Sequence, residues 1–415
     1  MPQPSRRTVL TTCATALTTG LAGCLGDGPS EIDTWEPDPG AWPLAAYDLA
    51  NRGYNPHATP PPGGVEPLWQ TTADGGFDLG LDGVLAVDDH VVAYGESGLW
   101  VLDPEDGEEV WHESGAVGAA GCYDGIVYAA DGGESDDGDA ELRLSGYAIE
   151  DGESVLSTTV GDPDSVPWVE QLLATEEVVV VGNGRGDELF VIDRENGDEV
   201  WLLDEYAAAV IDQGSLIVGG RTTLAAYDPE DGGQLWPGRD LSKQWEVDTV
   251  TGLGTPPLAV AEGTVLTGDR TMPSRQRRSS IHAYRRRDGL KLWTNEPRGK
   301  WTSTPVVVDG VGYGVHTIAG REEADVVAVE LRDGGEEWRT TVEAWLNRTV
   351  VGGETVLAYG GDDEDDSGQI LAFDFEGNER WRYDLDAAPG WQSGVIAVEG
   401  VVYVATDEGE VLALG

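Results

Sequence analysis

One short pattern recurs along this chain of 415 residues. In each copy an apolar pair is followed by a turn that ends in glycine, and an aromatic residue stands four positions after that glycine. The copies are Leu99…Gly107…Trp111, Leu189…Gly197…Trp201, Leu224…Gly232…Trp236, Ile281…Gly289…Trp293, Val326…Gly334…Trp338, Ile370…Gly377…Trp381 and, with leucine replacing the tryptophan, Leu144…Gly152…Leu156. A period averaging about 43 residues is the length of one four-stranded propeller blade. The repeat therefore predicts a β-propeller.

A second repeat counts the blades independently. Each unit has an acidic or glycine turn before a β-branched run, which is the signature of a β-hairpin. The eight turns begin at Asp88, Asp124, Glu176, Asp212, Glu262, Asp309, Gly352 and Glu399. Leu68-Trp69 has a closing tryptophan without the strands that should precede it, and Val411–Leu414 has a third strand without its tryptophan. We therefore predict an all-β, eight-bladed propeller over residues 64–415, closed by N- and C-terminal strands in one blade.

The large excess of acidic residues limits the classes of partner that the protein can bind. There are 77 acidic and 25 basic residues, so the formal net charge is -52. Repulsion of this size strains a compact fold in dilute buffer and is screened by salt. The acidic composition resembles that of proteins from salt-loving archaea. It disfavours nucleic acid and anionic membrane surfaces as partners, whereas 40% hydrophobic residues and 15 tryptophans exclude a disordered acidic chain.

The N-terminal sequence predicts where the protein is located in the cell. Ser5–Leu10, with Arg6 and Arg7, resembles the twin-arginine export signal, and Leu21-Ala22-Gly23-Cys24 resembles a lipoprotein box. We expect residues 1–23 to be a signal peptide and residues 24–63 to be a flexible tether and N-terminal segment, with a lipid on Cys24. The alternative, an uncleaved anchor helix, is disfavoured by the threonines of this segment. The protein is then extracytoplasmic, on the outer face of the cell membrane.

The predicted processing of the N-terminus determines which cysteines remain in the mature domain. Cys13 leaves with the signal peptide and Cys24 carries the lipid, so Cys122 is the one cysteine of the mature domain. An intramolecular disulfide and a cysteine-based metal site are both excluded.

The repeated unit Ala-x-Asp … Gly-x-x-x-Trp resembles the tryptophan-docking repeat of the pyrroloquinoline-quinone-like propellers. The segment Trp42–Pro56 is similar to the opening segment of those proteins. The resemblance covers nearly the whole mature chain, and it also extends to the propeller lipoproteins of outer-membrane assembly. It implies that docking tryptophans pack between neighbouring blades, here Trp69, Trp111, Trp201, Trp236, Trp293, Trp338 and Trp381.

Membership of this fold does not by itself imply an enzyme. The resemblance implies that a quinoprotein dehydrogenase would carry an adjacent cysteine pair, a calcium ion held by carboxylates and an amide, and an aspartate base. The mature chain has no cysteine pair, and its five histidines show no ligand spacing. We therefore expect a monomeric, non-catalytic binding or assembly platform without cofactor or metal, whose partner is another envelope protein or a surface ligand. Two alternatives remain: a quinone-dependent dehydrogenase, and a sugar- or polymer-binding receptor domain.

Candidate binding residues lie in the loops of one face. Trp168, Trp301, Trp345 and Trp391 each stand before the first strand of a blade, which predicts an aromatic ring at one mouth of the central channel. Trp245 joins them across an insertion, and packing at blade edges is the alternative role. Arg275, Arg277 and Arg278 are expected on the same face and Arg285–Arg287 on the opposite one, with internal ion pairs as their alternative role.

Two weaker motifs complete the candidates. The acidic loops Glu134–Asp139 and Asp362–Asp366 suit either a divalent cation or solvent, and neither has the spacing of a calcium loop. Asn347-Arg348-Thr349 matches a glycosylation acceptor.

Overall fold

The computed structural model describes residues 37–72, 80–87, 89–134, 140–160, 168–184, 187–229, 240–249, 258–268, 280–296, 300–301, 303–317, 323–362 and 367–415. All of the secondary structure named in these ranges is β, and it forms eight sheets. The predicted fold class and blade count are confirmed. Nowhere in these ranges does a helix have the length and apolar character needed to span a bilayer.

Each blade is a meander in which consecutive strands pair with one another. Ahead of the first complete blade stand β1 (Tyr54–Asn55) and β2 (Pro67–Thr72). Blade 1 consists of β3 (Leu81–Val87), β4 (His90–Gly95), β5 (Gly98–Leu102) and β6 (Glu109–Ser114), and blade 2 of β7 (Ala119–Tyr123), β8 (Ile126–Glu134), β9 (Ala140–Ala148) and β10 (Ser154–Val160). Blade 3 consists of β11 (Val169–Ala174), β12 (Val178–Asn183), β13 (Glu188–Asp193) and β14 (Glu199–Asp204), and blade 4 of β15 (Ala208–Asp212), β16 (Ser215–Gly219), β17 (Thr223–Pro229) and β18 (Leu241–Asp248).

Blades 5 to 8 repeat this order with two additions. Blade 5 consists of β19 (Leu258–Ala261), β20 (Thr264–Gly268), β21 (Ile281–Arg285) and β22 (Lys291–Asn295), and blade 6 of β23 (Lys300–Trp301), β24 (Val306–Val308), β25 (Val311–Thr317), β26 (Ala324–Glu330) and β27 (Glu336–Val342). Blade 7 consists of β28 (Arg348–Gly352), β29 (Thr355–Asp362), β30 (Ser367–Phe373) and β31 (Glu379–Leu385), and blade 8 of β32 (Val395–Val398), β33 (Val401–Ala405) and β34 (Glu410–Leu414). In blade 6 the short strands β23 and β24 both pair with β25, and in blade 7 β1 lies parallel to β28. The first strand of each blade is its inner strand.

Blade 8 is completed by the N-terminal strand. β2 lies antiparallel to β34, with Trp69 opposite Ala413 and Thr71 opposite Val411. The two ends of the chain thus meet in one sheet, as the incomplete repeats at Trp69 and Val411 predicted.

Tryptophans on the outermost strands connect successive blades. Their indole Nε1 atoms donate to backbone oxygens of the next blade or of the N-terminal segment: Trp69 to Pro104 (2.9 Å), Trp111 to Ile149 (2.7 Å), Trp245 to Arg286 (2.8 Å), Trp293 to Leu331 (2.7 Å), Trp338 to Phe375 (2.8 Å) and Trp381 to Pro61 (2.7 Å). Each such ring buries apolar area and satisfies its one donor, so it holds two blades together. In blade 2 the leucine of the repeat, Leu156, is buried in the equivalent position.

The glycine of the repeat is explained by the same contact. Gly107 has φ of 74°, and a Cβ at this position would lie 2.5 Å from Cε3 of Trp69. An L-residue is strained by the backbone conformation and has no room for its side chain. The glycine and the tryptophan of neighbouring copies are therefore one packing unit.

Blade 4 differs from the prediction. Trp236 lies outside the described residues, and the docking position belongs to Trp245, which stands opposite Ala226 just as Trp293 stands opposite Ala283. Its ring packs on Gly289 of blade 5. Trp245 is thus a docking residue and does not join the aromatic residues at the channel mouth, because residues inserted between β17 and β18 displace the tryptophan from its usual spacing.

The segment before β2 lies inside the ring. We call residues 41–61 the plug, because they contact the inner strands around the channel. Its hydrogen bonds to those strands join Trp42 with Ala86, Pro43 with Cys122, Leu49 with Ile211, Ala50 with Val260, Gly53 with Val351 and Asn55 with Ala397. Most of the inner-strand residues lie near the end of their strand, beside the turn to the second strand. The plug therefore fills the channel at the face formed by these turns, which we call the plug face.

Buried polar groups shape the plug. Asp48 is 2% exposed, and its carboxylate accepts hydrogen bonds from the backbone N of Ala50 (3.1 Å) and of Arg52 (3.1 Å) and from Arg52 Nε (2.5 Å). Burial raises the pKa of Asp48, an effect that the Arg52 guanidinium opposes. Asn55, fully buried, donates to the carbonyl of Ala41 (3.4 Å) as well as to Ala397 (3.1 Å). The hydrogen bond from Asn55 to Ala41 thus joins the later part of the plug to its first residue, and the neighbouring Trp42 is fully buried.

Candidate functional site at the channel mouth

The end of the channel opposite the plug face is the mouth, where the chain enters each inner strand. Three of the predicted tryptophans precede inner strands at this end, namely Trp168 before β11, Trp345 before β28 and Trp391 before β32, and Trp301 lies on β23 itself. Trp168 and Trp345 are 56% and 40% exposed. Tryptophan is enriched among the residues that dominate binding at protein interfaces, so these two exposed side chains are candidate contact residues.

Trp168 is fixed through its backbone. Its N donates to the side-chain oxygen of Asn183 (3.0 Å), and its carbonyl accepts from the N of Gly184 (2.9 Å). Asn183 is fully buried and donates to Glu188 (2.8 Å). The exposed ring therefore stands on a rigid support, which lowers the entropic cost of using it for binding.

Trp391 is the centre of a polar and aromatic cluster formed by three adjacent blades. Its indole donates to the carboxylate of Asp82 at the start of β3, and the guanidinium of Arg348, the first residue of β28, lies 6.0 Å from its ring centroid. Burial, reinforced by the nearby carboxylate of Glu96, raises the pKa of Asp82 to about 6, against the opposing effect of the indole hydrogen bond. Asp82 thus retains its proton in weakly acidic solution.

The loop that carries Trp391 is held in place across three blades. The hydroxyl of Tyr94 in blade 1 lies 3.1 Å from Ser393 Oγ, and the side-chain amide of Gln392 donates to the carbonyl of Gly118 at the start of blade 2. The backbone N atoms of Gln392 and Ser393 donate to the carbonyl of Asp82 (3.0 and 3.2 Å). This part of the mouth is therefore preorganised.

A second polar cluster, which the sequence reasoning missed, lies in blade 6. Asp325 accepts hydrogen bonds from Arg339 and from the hydroxyl of Thr341 (2.6 Å), and His316 is 1% exposed beside them. Burial lowers the pKa of His316 to about 3, and the Arg339 guanidinium adds to this effect while Asp325 opposes it. The available signal was a histidine and an aspartate within otherwise apolar strands.

The arginine candidates divide between described and undescribed residues. Arg275, Arg277 and Arg278 lie outside the described residues. Arg286, in the turn from β21 to β22 on the plug face, forms an ion pair with Asp212 (2.5 Å), and Arg285 pairs with Asp288 (2.6 Å). In this turn the internal ion pairs are the arrangement found.

Most of the other predicted motifs lie outside the described residues. Arg6, Arg7 and Cys24 lie outside the described residues, as do residues 135–139 and 363–366 of the acidic loops. Within the part of the chain that the structure describes, no three histidine, cysteine or acidic side chains are placed to share a metal ion. Asn347 is exposed, whereas Thr349 of the same motif is 7% exposed and donates to the carbonyl of Tyr313 (3.3 Å).

Comparison with known proteins gives a family and a fold. The family profile described as outer membrane protein assembly factor BamB matches residues 63–205, 221–321 and 277–414. None of the curated proteins compared matches this sequence.

Three solved structures illustrate the range of the fold. BamB from Moraxella catarrhalis has a TM-score of 0.57 at 16% identity, covering 85% of this chain and 97% of its own. The quinohemoprotein alcohol dehydrogenase ADHIIG from Pseudomonas putida HK5 has a TM-score of 0.60 at 13% identity, covering 91% and 80%. Sqt1 from Saccharomyces cerevisiae has a TM-score of 0.59 at 10% identity, covering 84% and 98%. At these identities the likeness concerns the fold alone.

Proposed function

Because this chain belongs to the family described as outer membrane protein assembly factor BamB, we propose that it is a non-catalytic platform that docks another envelope protein at its channel mouth. One observation carries the proposal. The plug fills one end of the channel, while the other end presents Trp168 and Trp345 with 56% and 40% of their surfaces exposed. Aromatic side chains on rigid supports are the residues that dominate binding energy at protein interfaces.

We further propose that the platform is exported and anchored through a lipid on Cys24. The support is the sequence pattern of Arg6 and Arg7 followed by Leu21–Cys24. Replacing Cys24 with serine should release the protein from the membrane or leave its precursor uncleaved. Unchanged membrane association of Cys24→Ser would contradict the anchor.

Site-specific crosslinking tests the docking surface. A photo-crosslinking residue placed at Trp345 should capture an envelope protein in intact cells, because the mouth faces the partner. The matched control is the same residue at Leu292 on the outer strand of blade 5, whose exposure of 42% is nearly equal to the 40% of Trp345. Equal capture from both positions, or none from Trp345, would contradict the proposal.

The second candidate is a quinone-dependent dehydrogenase, favoured by the likeness to the quinohemoprotein alcohol dehydrogenase fold. The described residues lack the adjacent cysteine pair expected for that class. Cys122 is the one cysteine among them, and no three of their histidine, cysteine or acidic side chains are placed to share a metal ion. We therefore derive no catalytic step through a quinone.

A thermal shift distinguishes the two candidates. A ligand that binds the native state raises its melting temperature. Pyrroloquinoline quinone with calcium should leave the melting temperature of the platform unchanged in molar salt. A rise of several degrees, together with dye-linked oxidation of an alcohol or sugar, would favour the enzyme.

A further inference from the structure

Blades 7, 8 and 1 contribute an aromatic and acidic sector to the mouth. We call it the seam sector and define it by Asp82, Glu96, Trp345, Arg348 and Trp391. Asp82 and Arg348 lie at the starts of inner strands, Trp345 and Trp391 in the loops that lead into inner strands, and Glu96 in the turn from β4 to β5. All five positions are at the mouth end of their blades, on the side where the ring is closed.

Two carboxylates of this sector influence one another. Burial and the like charge of Glu96 raise the pKa of Asp82, and the hydrogen bond from the Trp391 indole opposes them. Two carboxylates that share a partly buried position repel one another, and a cation placed between them would relieve this repulsion. The sector is therefore electrostatically suited to a positive group.

The aromatic rings of the sector are suited to the same kind of group. The face of Trp391 already has a guanidinium at 6.0 Å, that of Arg348, which is the distance at which cation–π attraction acts. Trp345, three positions before Arg348, has 40% of its surface exposed. An aromatic face beside carboxylates is the combination by which proteins recognise ammonium and guanidinium groups.

We propose that the seam sector binds an arginine- or lysine-bearing segment of a partner protein, with cationic side chains of that segment contacting Trp345 and Asp82. The formal net charge of -52 attracts a basic partner from a distance, and the sector supplies the short-range specificity. This inference rests on the proposed docking function and names the chemistry of the partner.

The test distinguishes specific binding at the seam sector from general attraction by the negative charge of the protein. The probe is a fluorescent peptide of alternating glycine and arginine, titrated into the full mature chain at about 1 M salt, where the Debye length is roughly 3 Å and remote charges are screened. Trp345→Ala and Asp82→Asn should each weaken binding about tenfold, the loss expected for a partly desolvated cation–π or ionic contact. Trp345→Phe, which keeps an aromatic face, should retain most of the affinity.

Two controls are matched to these variants. Asp106→Asn removes an exposed charge from the turn between β5 and β6 on the plug face, and Leu292→Ala removes an apolar side chain of similar exposure to Trp345. Both should bind the probe like the unaltered chain, and a matching glycine–glutamate peptide should not bind. Thermal unfolding of every variant verifies that the ring is intact.

The outcomes separate this inference from the docking function. Equal losses in Asp106→Asn and Asp82→Asn would mean general attraction and would overturn the inference, as would no binding at all. If crosslinking at Trp345 captures a partner whose association is unaffected by Asp82→Asn, docking stands and the cationic partner does not. If neither crosslinking nor peptide binding is found, both proposals fail.

Discussion

Two titratable residues on the mouth side respond to pH in opposite ways. Asp82 has its pKa raised to about 6 from 3.8, so the folded state holds its proton more tightly than the unfolded state. His316 has its pKa lowered to about 3 from 6.5, so the folded state excludes a proton that the unfolded state accepts. Ionised Asp82 therefore costs stability at neutral pH, and neutral His316 costs stability in acid.

Replacing Asp82 with asparagine should stabilise the ring at pH 8 and have a much smaller effect at pH 4. The raised pKa means that the penalty is present above the folded pKa of about 6 and disappears as the pH falls below 3.8. Because the carboxylate is partly exposed, we expect a gain of only about 1 kcal/mol at pH 8. Chemical denaturation at the two pH values measures it. An equal effect at both would show that the pKa of Asp82 is ordinary.

Replacing His316 with leucine should flatten the loss of stability in acid. In the parent chain the unfolded state binds a proton below pH 6.5, whereas His316 in the folded state does so only near 3. Stability should fall through that window by roughly 2–3 kcal/mol more in the parent than in His316→Leu. Denaturation at pH 7 and pH 4 gives the difference. Parallel pH dependences in the two proteins would rule out this origin.

At the scale of elements, the unit that holds blades together is a turn glycine with the tryptophan of the preceding blade. Blade 5 contains two turn glycines of similar conformation, Gly289 with φ of 67° and Gly263 with φ of 74°. A Cβ on Gly289 would lie 2.6 Å from Trp245, whereas a Cβ on Gly263 would have no heavy atom within 4 Å. The same substitution therefore separates backbone strain from blade docking.

Gly289→Ala should destabilise the protein more than Gly263→Ala. Both variants carry the cost of a left-handed backbone, about 1 kcal/mol. Gly289→Ala must in addition displace Trp245, and overpacking of this kind costs about 1–3 kcal/mol more. Thermal and chemical unfolding of the pair measure the difference directly. Equal losses would mean that Trp245 does not pack where the docking tryptophan belongs.

At the scale of the whole molecule, the periodic features were predictable and the aperiodic ones were not. The number of blades and the pairing of Trp69 with the C-terminal strand followed from local repeats. The plug did not, because its contacts are spread over several blades and leave no period in residues 41–61. Trp245 was misplaced because an insertion before β18 breaks the spacing. The seam sector was only partly predictable, since Asp82 and Arg348 reach Trp391 through the closure of the ring.

The net charge makes a prediction for the whole molecule. With 77 acidic and 25 basic residues, self-repulsion should destabilise the ring when salt is removed. Lowering potassium chloride from about 2 M to about 0.1 M lengthens the Debye screening length several-fold and should lower the melting temperature markedly. A melting temperature independent of salt would contradict this expectation.

The pairing of β2 with β34 also sets an order of events during synthesis. Gln70 donates to Glu410 across 340 positions of sequence, so the outermost place in blade 8 is filled from the start of the chain. Contacts of such separation form late, because the entropy of closing a long loop must be overcome before any contact compensates for it. A nascent chain that still lacks its last residues can assemble its individual hairpins, but it has no partner for β2. Closure of the ring between β2 and β34 must therefore follow the synthesis of all eight blades.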